Sequence, residues 1–365
     1  MSLCARNNFS LFLDETGSIW GCGANVDGQL GLPRYAGYIN PTRMASVLPP
    51  IQAVSGGNNY SLLLDHSGLV WTCGGNKFGC MGVRDKTVRD PQIIPIAAKI
   101  AAISAGEYST VLLDENGIVW SFGSNSVGQI GHGRSKQVSK PKVVSGLPKI
   151  EAISCGGCST LYLDTEGGVW ISGVNGLGKE SNNVNKPCKL PNFPPMKCIK
   201  AGGDHHLFID YEDNVFGFGK GYFGLSKGGL ASVKDLTAIE MPSVISTIST
   251  TGNFSVLPTS RTGFVDVEGR AWVTGVNENG QLGNGQKKQV VTDLQQVEIP
   301  PVWDISFGIN HSLFLTQDGS AWSCGRNSGG QLGIGAIFED QTTPQKIEMP
   351  PLAAYGASVK SARAV

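Results

Sequence analysis

Six times along the chain a tryptophan stands three residues after a glycine and five before an Asn-x-x-Gly segment: Gly17/Trp20/Asn25/Gly28, Gly68/Trp71/Asn76/Gly79, Gly117/Trp120/Asn125/Gly128, Gly167/Trp170/Asn175/Gly178, Gly269/Trp272/Asn277/Gly280 and Gly319/Trp322/Asn327/Gly330. A weaker copy, Asp213, Phe216, Gly221 and Gly224, fills the one gap. Successive aromatic positions are 51, 49, 50, 46, 56 and 50 residues apart, so seven units of about fifty residues follow one another. Self-similarity at such a period is the mark of a propeller or solenoid, in which one supersecondary unit is stacked many times.

Length then loses its usual meaning. A chain of 365 residues suggests two or three domains, but a continuous repeat makes one architecture, read here as a single domain over residues 1–365. The 50 glycines recur with the period, which points to tight turns and not to low complexity. Net charge is zero, so bulk electrostatics call for neither nucleic acid nor an anionic membrane. No apolar run of membrane-spanning length occurs and the first residues lack the pattern of a signal peptide. The expectation is a monomer without membrane insertion, cytoplasmic or nuclear. Nine scattered cysteines read as reduced thiols.

Within the third unit, the runs 100–104, 109–114 and 118–122 are short, rich in β-branched and aromatic residues, and separated by Gly, Asn and Asp. These are strands joined as hairpins. A fourth run opens at Pro141, which cannot donate to a ladder and suits an outer edge. Four antiparallel strands per unit with no helical periodicity predict an all-β protein. The preferred architecture is a seven-bladed β-propeller, in which each sheet buries both faces against its neighbours; a solenoid, which needs polar caps, is the competitor.

The two ends support a ring. Met349-Pro350-Pro351-Leu352-Ala353-Ala354 repeats the opening of a unit, as in Leu48-Pro49-Pro50-Ile51-Gln52-Ala53. At the other end, Asn7-Asn8-Phe9-Ser10-Leu11 matches Asn58-Asn59-Tyr60-Ser61-Leu62. One blade is therefore expected to be split, with its first strand near residues 350–356 and the others from residue 3 onward, leaving no free edge. Elsewhere the pattern breaks. The Gly-Gln-Leu-Gly segment decays to Gly178-Lys179-Glu180-Ser181 and Gly224-Leu225-Ser226-Lys227. In the sixth unit Pro242 and Trp272 are 30 residues apart, against 22 for Pro148 and Trp170, and the excess falls at residues 250–261. Long connections on a regular scaffold are favoured places for function.

With Gly-x-x-Trp, Asn-x-x-Gly-Gln-Leu-Gly and Gly308-Ile309-Asn310-His311-Ser312 in register, the chain resembles the regulator of chromosome condensation repeat family over essentially all of its length. The resemblance implies a seven-bladed propeller closed by a split blade. Relatives include an exchange factor for the small GTPase Ran, ubiquitin-ligase propellers, vesicle-traffic proteins and a plant ultraviolet sensor, so what carries over is a class of surface. In the exchange factor, acidic and histidine residues between the first two strands gather at the propeller mouth and contact the GTPase. The corresponding candidates here are Asn7, Asn8, Asn58, Asn59, Glu107, Asp204, His205, Asn310 and His311, with Arg261 from the insertion. Only Glu107 and Asp204 are acidic, and the ring is mostly Asn. No basic tail precedes the first strand and no extra wedge interrupts the third unit. The Gly-Trp-Arg-His-Thr segment of the light sensor is missing as well.

The expected function is a non-catalytic protein-binding scaffold, with a small GTPase the partner implied by resemblance. A guanine-nucleotide exchange factor is the alternative, and a partner-binding domain of a larger adaptor or ubiquitin ligase is a second.

Catalytic chemistry finds no footing. Cys155-Gly156-Gly157-Cys158 lacks two further ligands at zinc spacing. His205 and His206 are adjacent on an expected strand and point to opposite faces, so they do not share one ion. Gly21-Cys22-Gly23 has no helix behind it to hold phosphate. Basic clusters at Arg134, Lys136, Lys140 and Lys142 and at Lys287-Lys288 read as solvated faces. No metal, cofactor or catalytic residue is expected.

Overall fold

The computed structural model describes residues 2–33, 37–44, 48–133, 136–175, 183–203, 205–221, 231–251, 260–335 and 338–352. Its strands form seven four-stranded antiparallel sheets, each with strands in chain order. Blade 3 is representative: Ile100–Ala105, Ser109–Asp114, Val119–Gly123 and Val138–Val143. The expected fourth strand begins three residues earlier than Pro141. That proline sits inside the strand, where the pairing slips between Ser121 and Gly123, so its missing N–H falls at an irregularity of the ladder.

The first strands of neighbouring blades lie side by side all the way round, including that of blade 7, Val302–Phe307, against that of blade 1, Leu3–Arg6. They form the wall of an axial channel. Second strands such as Tyr60–Asp65 and His311–Thr316 are buried along their whole length, and fourth strands such as Tyr38–Arg43 and Val138–Val143 are exposed or half-buried throughout. Seven apolar clusters result, one between each pair of adjacent blades. Between blades 2 and 3, for example, Tyr60, Leu62 and Val70 meet Ile103, Leu112 and Phe122. Burial of this kind, at roughly 25 cal/mol per Å2, dominates the stability of such a ring.

Ring closure corrects one expectation. The first strand of blade 1 comes from the N-terminal side, as Leu3–Arg6 paired with Phe9–Leu13. Of the described C-terminal residues, Leu352 pairs with the blade through an isolated bridge to Asp14, and the neighbouring Pro351 carbonyl accepts the Glu15 N–H at 3.4 Å. Ile51 makes the equivalent bridge to Asp65 in blade 2. The split is thus inside one strand: Leu352 fills its first position, and residues 3–6 supply the rest. Packing explains the division, because Leu3, Phe12, Leu313, Leu315 and Leu352 share one cluster that joins blade 7 to blade 1. Residues 353–356 of the expected strand lie outside the described residues.

On the face opposite the candidate mouth, the turn between second and third strands repeats closely. The indole Nε1–H of Trp20, Trp71, Trp120, Trp170 and Trp272 donates to the Oδ2 of Asp14, Asp65, Asp114, Asp164 and Asp266 at 2.8, 2.9, 3.1, 2.9 and 3.1 Å. These tryptophans are half-buried against the interblade clusters. The glycine of each turn, as at Gly117 (φ +83°), has a left-handed conformation, and a Cβ there would meet Lys149 and Ile150 of the next blade. Blade 7 breaks the rule, since Thr316 replaces the aspartate and the Trp322 Nε1–H finds no partner among the described residues.

Candidate protein-binding face

Turns between first and second strands crown the other face, and backbone hydrogen bonds lace neighbouring turns together. Ile309 N–H donates to the Asn7 carbonyl at 3.4 Å, Asn58 N–H to Glu107 at 3.0 Å, Gly157 N–H to Gly202 at 3.2 Å and Gly203 N–H to Thr251 at 2.8 Å. Side chains add to the lacing: Asn7 Nδ2 donates to Asn59 Oδ1 at 3.1 Å, and Asn58 Nδ2 to the Tyr108 hydroxyl. Asn8 is exposed, while Asn7, Asn58, Asn59, Glu107 and Asn310 are half-buried. The structure therefore brings these six candidates to one rigid rim, hydrogen-bonded in part to each other. Asp204 lies outside the described residues, as do residues 252–259 of the insertion and the two decayed segments beginning at Gly178 and Gly224.

His205, His311 and Arg261 are placed differently. Each opens a second strand and turns inward with no exposed surface. This position is an interblade clasp. In blade 2 it is Tyr60, whose hydroxyl donates to the Ser109 carbonyl at 2.7 Å. His205 Nε2 lies 3.0 Å from the Thr262 hydroxyl of blade 6. His311 Nε2 lies 3.0 Å from Ser10 Oγ in blade 1; because that hydroxyl donates to Gln331 O at 2.7 Å, the imidazole N–H is the donor. Burial holds the imidazoles far below their ordinary range, to about 4 for His205 and, with Arg261 adding to the effect, about 3 for His311. Both are neutral at pH 7. His206 points to the other face of its sheet, with Nε2 3.4 Å from Ser159 Oγ of blade 4, so the two adjacent imidazoles do not converge.

Arg261, expected at the end of the insertion, begins the strand Arg261–Asp266 and reaches into blade 7. Its Nη2 donates to the carbonyls of Ile309, at 2.8 Å, and Gly308; its Nη1 donates to the His311 carbonyl at 3.4 Å and Ser312 Oγ at 3.3 Å. The guanidinium also stacks over Phe307, 5.1 Å from the ring centre. Burial pulls its pKa down to about 9, which still leaves it charged at neutral pH. A desolvated cation is tolerable here because the carbonyls of a whole turn point at it.

One feature of this face went unread in the sequence. In blades 1, 3, 6 and 7 the Gln of Gly-Gln-Leu/Ile-Gly folds back, and its Oε1 accepts the N–H of Asp27, Val127, Asn279 or Gly329 at 2.8–3.1 Å. Blade 2 has Cys80 in that place, so the clamp is absent. There the loop tightens into a single 3-10 turn, Lys77–Gly79, with Phe78 in the left-handed region at φ 61°, ψ 15°. The ring of Phe78 stands edge-on to Tyr108 of blade 3 at 5.4 Å, and Lys77 Nζ lies 5.2 and 5.3 Å from the two ring centres. Beside them a recess of about 370 Å3 opens between Asp27, Asn59, Lys77, Lys86 and Tyr108. The signal was present in the sequence as Cys80-Met81 where blades 1, 3, 6 and 7 have Gln-Leu or Gln-Ile.

Cys155 is buried and Cys158 half-buried, both as free thiols, and burial pushes the Cys155 pKa up, away from a nucleophile. Among the described residues no three His, Cys, Asp or Glu gather as a metal site, and no helix is long and apolar enough to cross a membrane.

Comparison with known proteins matches this architecture. A family model of the regulator of chromosome condensation (RCC1) repeat fits residues 16–64, 67–113, 116–163, 268–315 and 318–359, and a second model of the repeat fits 100–129 and 304–331. A Bos taurus protein named secretion-regulating guanine nucleotide exchange factor is 39% identical over 75 residues, 20% of this chain and 16% of that protein. Human WBSCR16 superposes with a TM-score of 0.79 at 21% identity, covering 91% of this chain and 95% of its own. Prp20p from Saccharomyces cerevisiae, whose structure was described together with its binding properties to Gsp1p and histones, gives 0.77 at 20%, covering 96% and 88%. At these identities the two structures establish the fold.

Proposed function

Since the chain belongs to the regulator of chromosome condensation repeat family, we propose that it is a rigid platform that binds a small GTPase through the face bearing the Asn-rich rim, without a catalytic group of its own. The observation that carries this reading is the Phe78–Tyr108 pair with Lys77. Exposed Phe78 packed edge-on against half-buried Tyr108, on a hydrogen-bonded rim, supplies the aromatic surface that protein interfaces favour. The pair occurs where the repeat loses its Gln clamp. The rim supplies hydrogen-bonding amides around it, and Lys77 and Lys86 offer positive charge to an acidic partner surface. Support for the partner class comes from the segment shared with a relative named as a guanine nucleotide exchange factor.

That name also favours a second reading, in which binding accelerates nucleotide release. Exchange works by distorting the nucleotide site of the bound GTPase, so the propeller would need no cofactor. One experiment separates the readings. The protein is titrated into a panel of small GTPases loaded with a fluorescent nucleotide, and both complex formation and release are followed. Complexes with unchanged release support the platform, and accelerated release supports exchange. If no GTPase binds, both readings fall.

A further inference from the structure

We propose that the axial channel of the propeller holds one small monovalent anion of the halide class. The channel wall is made by the seven first strands, and one register position of each faces it: Cys4, Ser55, Ser104, Ser154, Lys200, Ser249 and Ser306, which pair with Leu11, Leu62, Val111, Leu161, Leu207, Gly263 and Leu313 of the second strands. Serine at this position has a definite task. The hydroxyl oxygens of Ser55, Ser104, Ser154 and Ser306 accept the backbone N–H of Ala105, Cys155, Ala201 and Ala5 in the next blade at 3.0, 2.9, 2.9 and 2.9 Å. A hydroxyl that accepts through oxygen still has its proton to donate. The result is a ring of O–H donors around the axis.

Two cations enter this ring. Lys200 takes the serine's place in blade 5, and Arg6, at the end of the first strand of blade 1, lines the same channel while its Nη2 donates to the Ala105 carbonyl at 2.8 Å. Burial, opposed by Asp304 and reinforced by Arg6, lowers the Lys200 pKa. Asp304 is the carboxylate whose charge reaches Lys200, and burial raises its own pKa. Arg6 and Lys200 are both half-buried on the channel wall, and two cations against one carboxylate leave an excess of positive charge there that attracts a counter-ion. Water can satisfy the hydroxyls but cannot cancel the charge. A small anion does both.

Size narrows the ligand class. The channel cavity is about 40 Å3, more than the roughly 10–15 Å3 a single water requires. A monatomic anion with an accompanying water fits there, and a nucleotide or a phosphate ester does not.

The test uses the whole chain with chloride as probe. Thermal unfolding is measured at fixed ionic strength while sodium gluconate is exchanged for sodium chloride, alongside 35Cl NMR line broadening. The midpoint should rise with the logarithm of chloride concentration, as ligand linkage requires, and the chloride line should broaden and sharpen again when bromide competes. In Lys200→Ser, which restores the residue of other blades, both responses should vanish, and in Lys200→Arg they should persist. Equal response to chloride and gluconate in the wild-type protein overturns the proposal, as does undiminished broadening in folded Lys200→Ser. Should that variant fail to fold, loss of wild-type broadening on bromide addition decides in favour, and broadening indifferent to bromide decides against.

Discussion

The two faces of the propeller join its strands by different means. On the turn face, five blades repeat one arrangement: an aspartate takes the indole N–H of the tryptophan six residues later, and in each its Oδ1 accepts nearby backbone N–H groups. Everything required lies within one short segment, so one sequence pattern suffices for every blade. On the rim face, the first residue of each second strand must meet the neighbouring blade. Tyr60, Ser109, Ser159, His205, Arg261 and His311 do so with six separate sets of partners. Local constraints produce repetition, while contacts between units allow divergence. The rim is consequently the face on which individual blades can acquire partner-specific surface.

Arg261 provides the severest test of that contrast. Replacing it with Ala takes the guanidinium from the buried Gly308 carbonyl and the half-buried Ile309 carbonyl, while the His311 carbonyl keeps the Gly308 N–H; an orphaned buried group costs about 1–3 kcal/mol, and removal of so large a buried side chain leaves a cavity as well. A loss of at least about 3 kcal/mol in urea unfolding is expected, with the rim loop at residues 308–311 the first region to exchange its amide hydrogens. Substitution of a solvated rim residue such as Asn8 should change stability by less than about 0.5 kcal/mol. If Arg261→Ala were equally harmless, the clasp position would have no structural role and the division between the faces would fail.

Acid separates the faces by pH. At the clasp side, His205, His206 and His311 have folded pKa values of about 4, 3 and 3, against about 6.5 in an unfolded chain. The unfolded state therefore binds protons first, and stability present above pH 6.5 is lost progressively as pH falls toward 3. On the turn face, burial pushes the Asp266 carboxyl up, but the bonds from Arg270, Trp272 and Ser243 outweigh it and hold the pKa at about 2. Its contribution is complete above about pH 4 and disappears as pH drops through 2. Unfolding free energy measured from pH 8 to 2 should decline in two stages. His311→Gln should flatten only the upper stage and Asp266→Asn only the lower. A single decline below pH 4 would show that the buried imidazoles are not the groups that titrate.

What the sequence made legible follows the same line. The Gly-x-x-Trp turn and the four strands of each blade could be read because their causes are local. The opposite orientation of His205 and His206 was likewise predictable from strand alternation, and the two now contact blades 6 and 4. Arg261 could not be placed, because the carbonyls that hold it belong to residues 308–311, some fifty positions away in sequence. The closing strand was misassigned for a related reason: the match of Leu352 to Ile51 is real, yet the space beyond it is filled by residues 3–6. Phe78 was overlooked because its conformation depends on a missing contact, the Gln clamp replaced by Cys80.

Phe78 also offers the mildest perturbation and the finest discrimination. A non-glycine residue in the left-handed region is strained by about 1–2 kcal/mol, and Phe78 at 40% exposure returns only part of its burial energy. In Phe78→Gly the relief of backbone strain should nearly offset the lost ring contact with Tyr108, leaving the melting midpoint almost unmoved. Partner affinity should behave otherwise, because truncating an aromatic hot spot costs 2 kcal/mol or more, which is about thirtyfold in Kd. Tyr108→Phe keeps the ring edge but removes the hydroxyl that accepts from Asn58, so it should weaken binding far less. A Phe78→Gly protein that melts early yet binds its partner normally would make this loop one more structural clasp, and the rim would have to carry recognition through its asparagines alone.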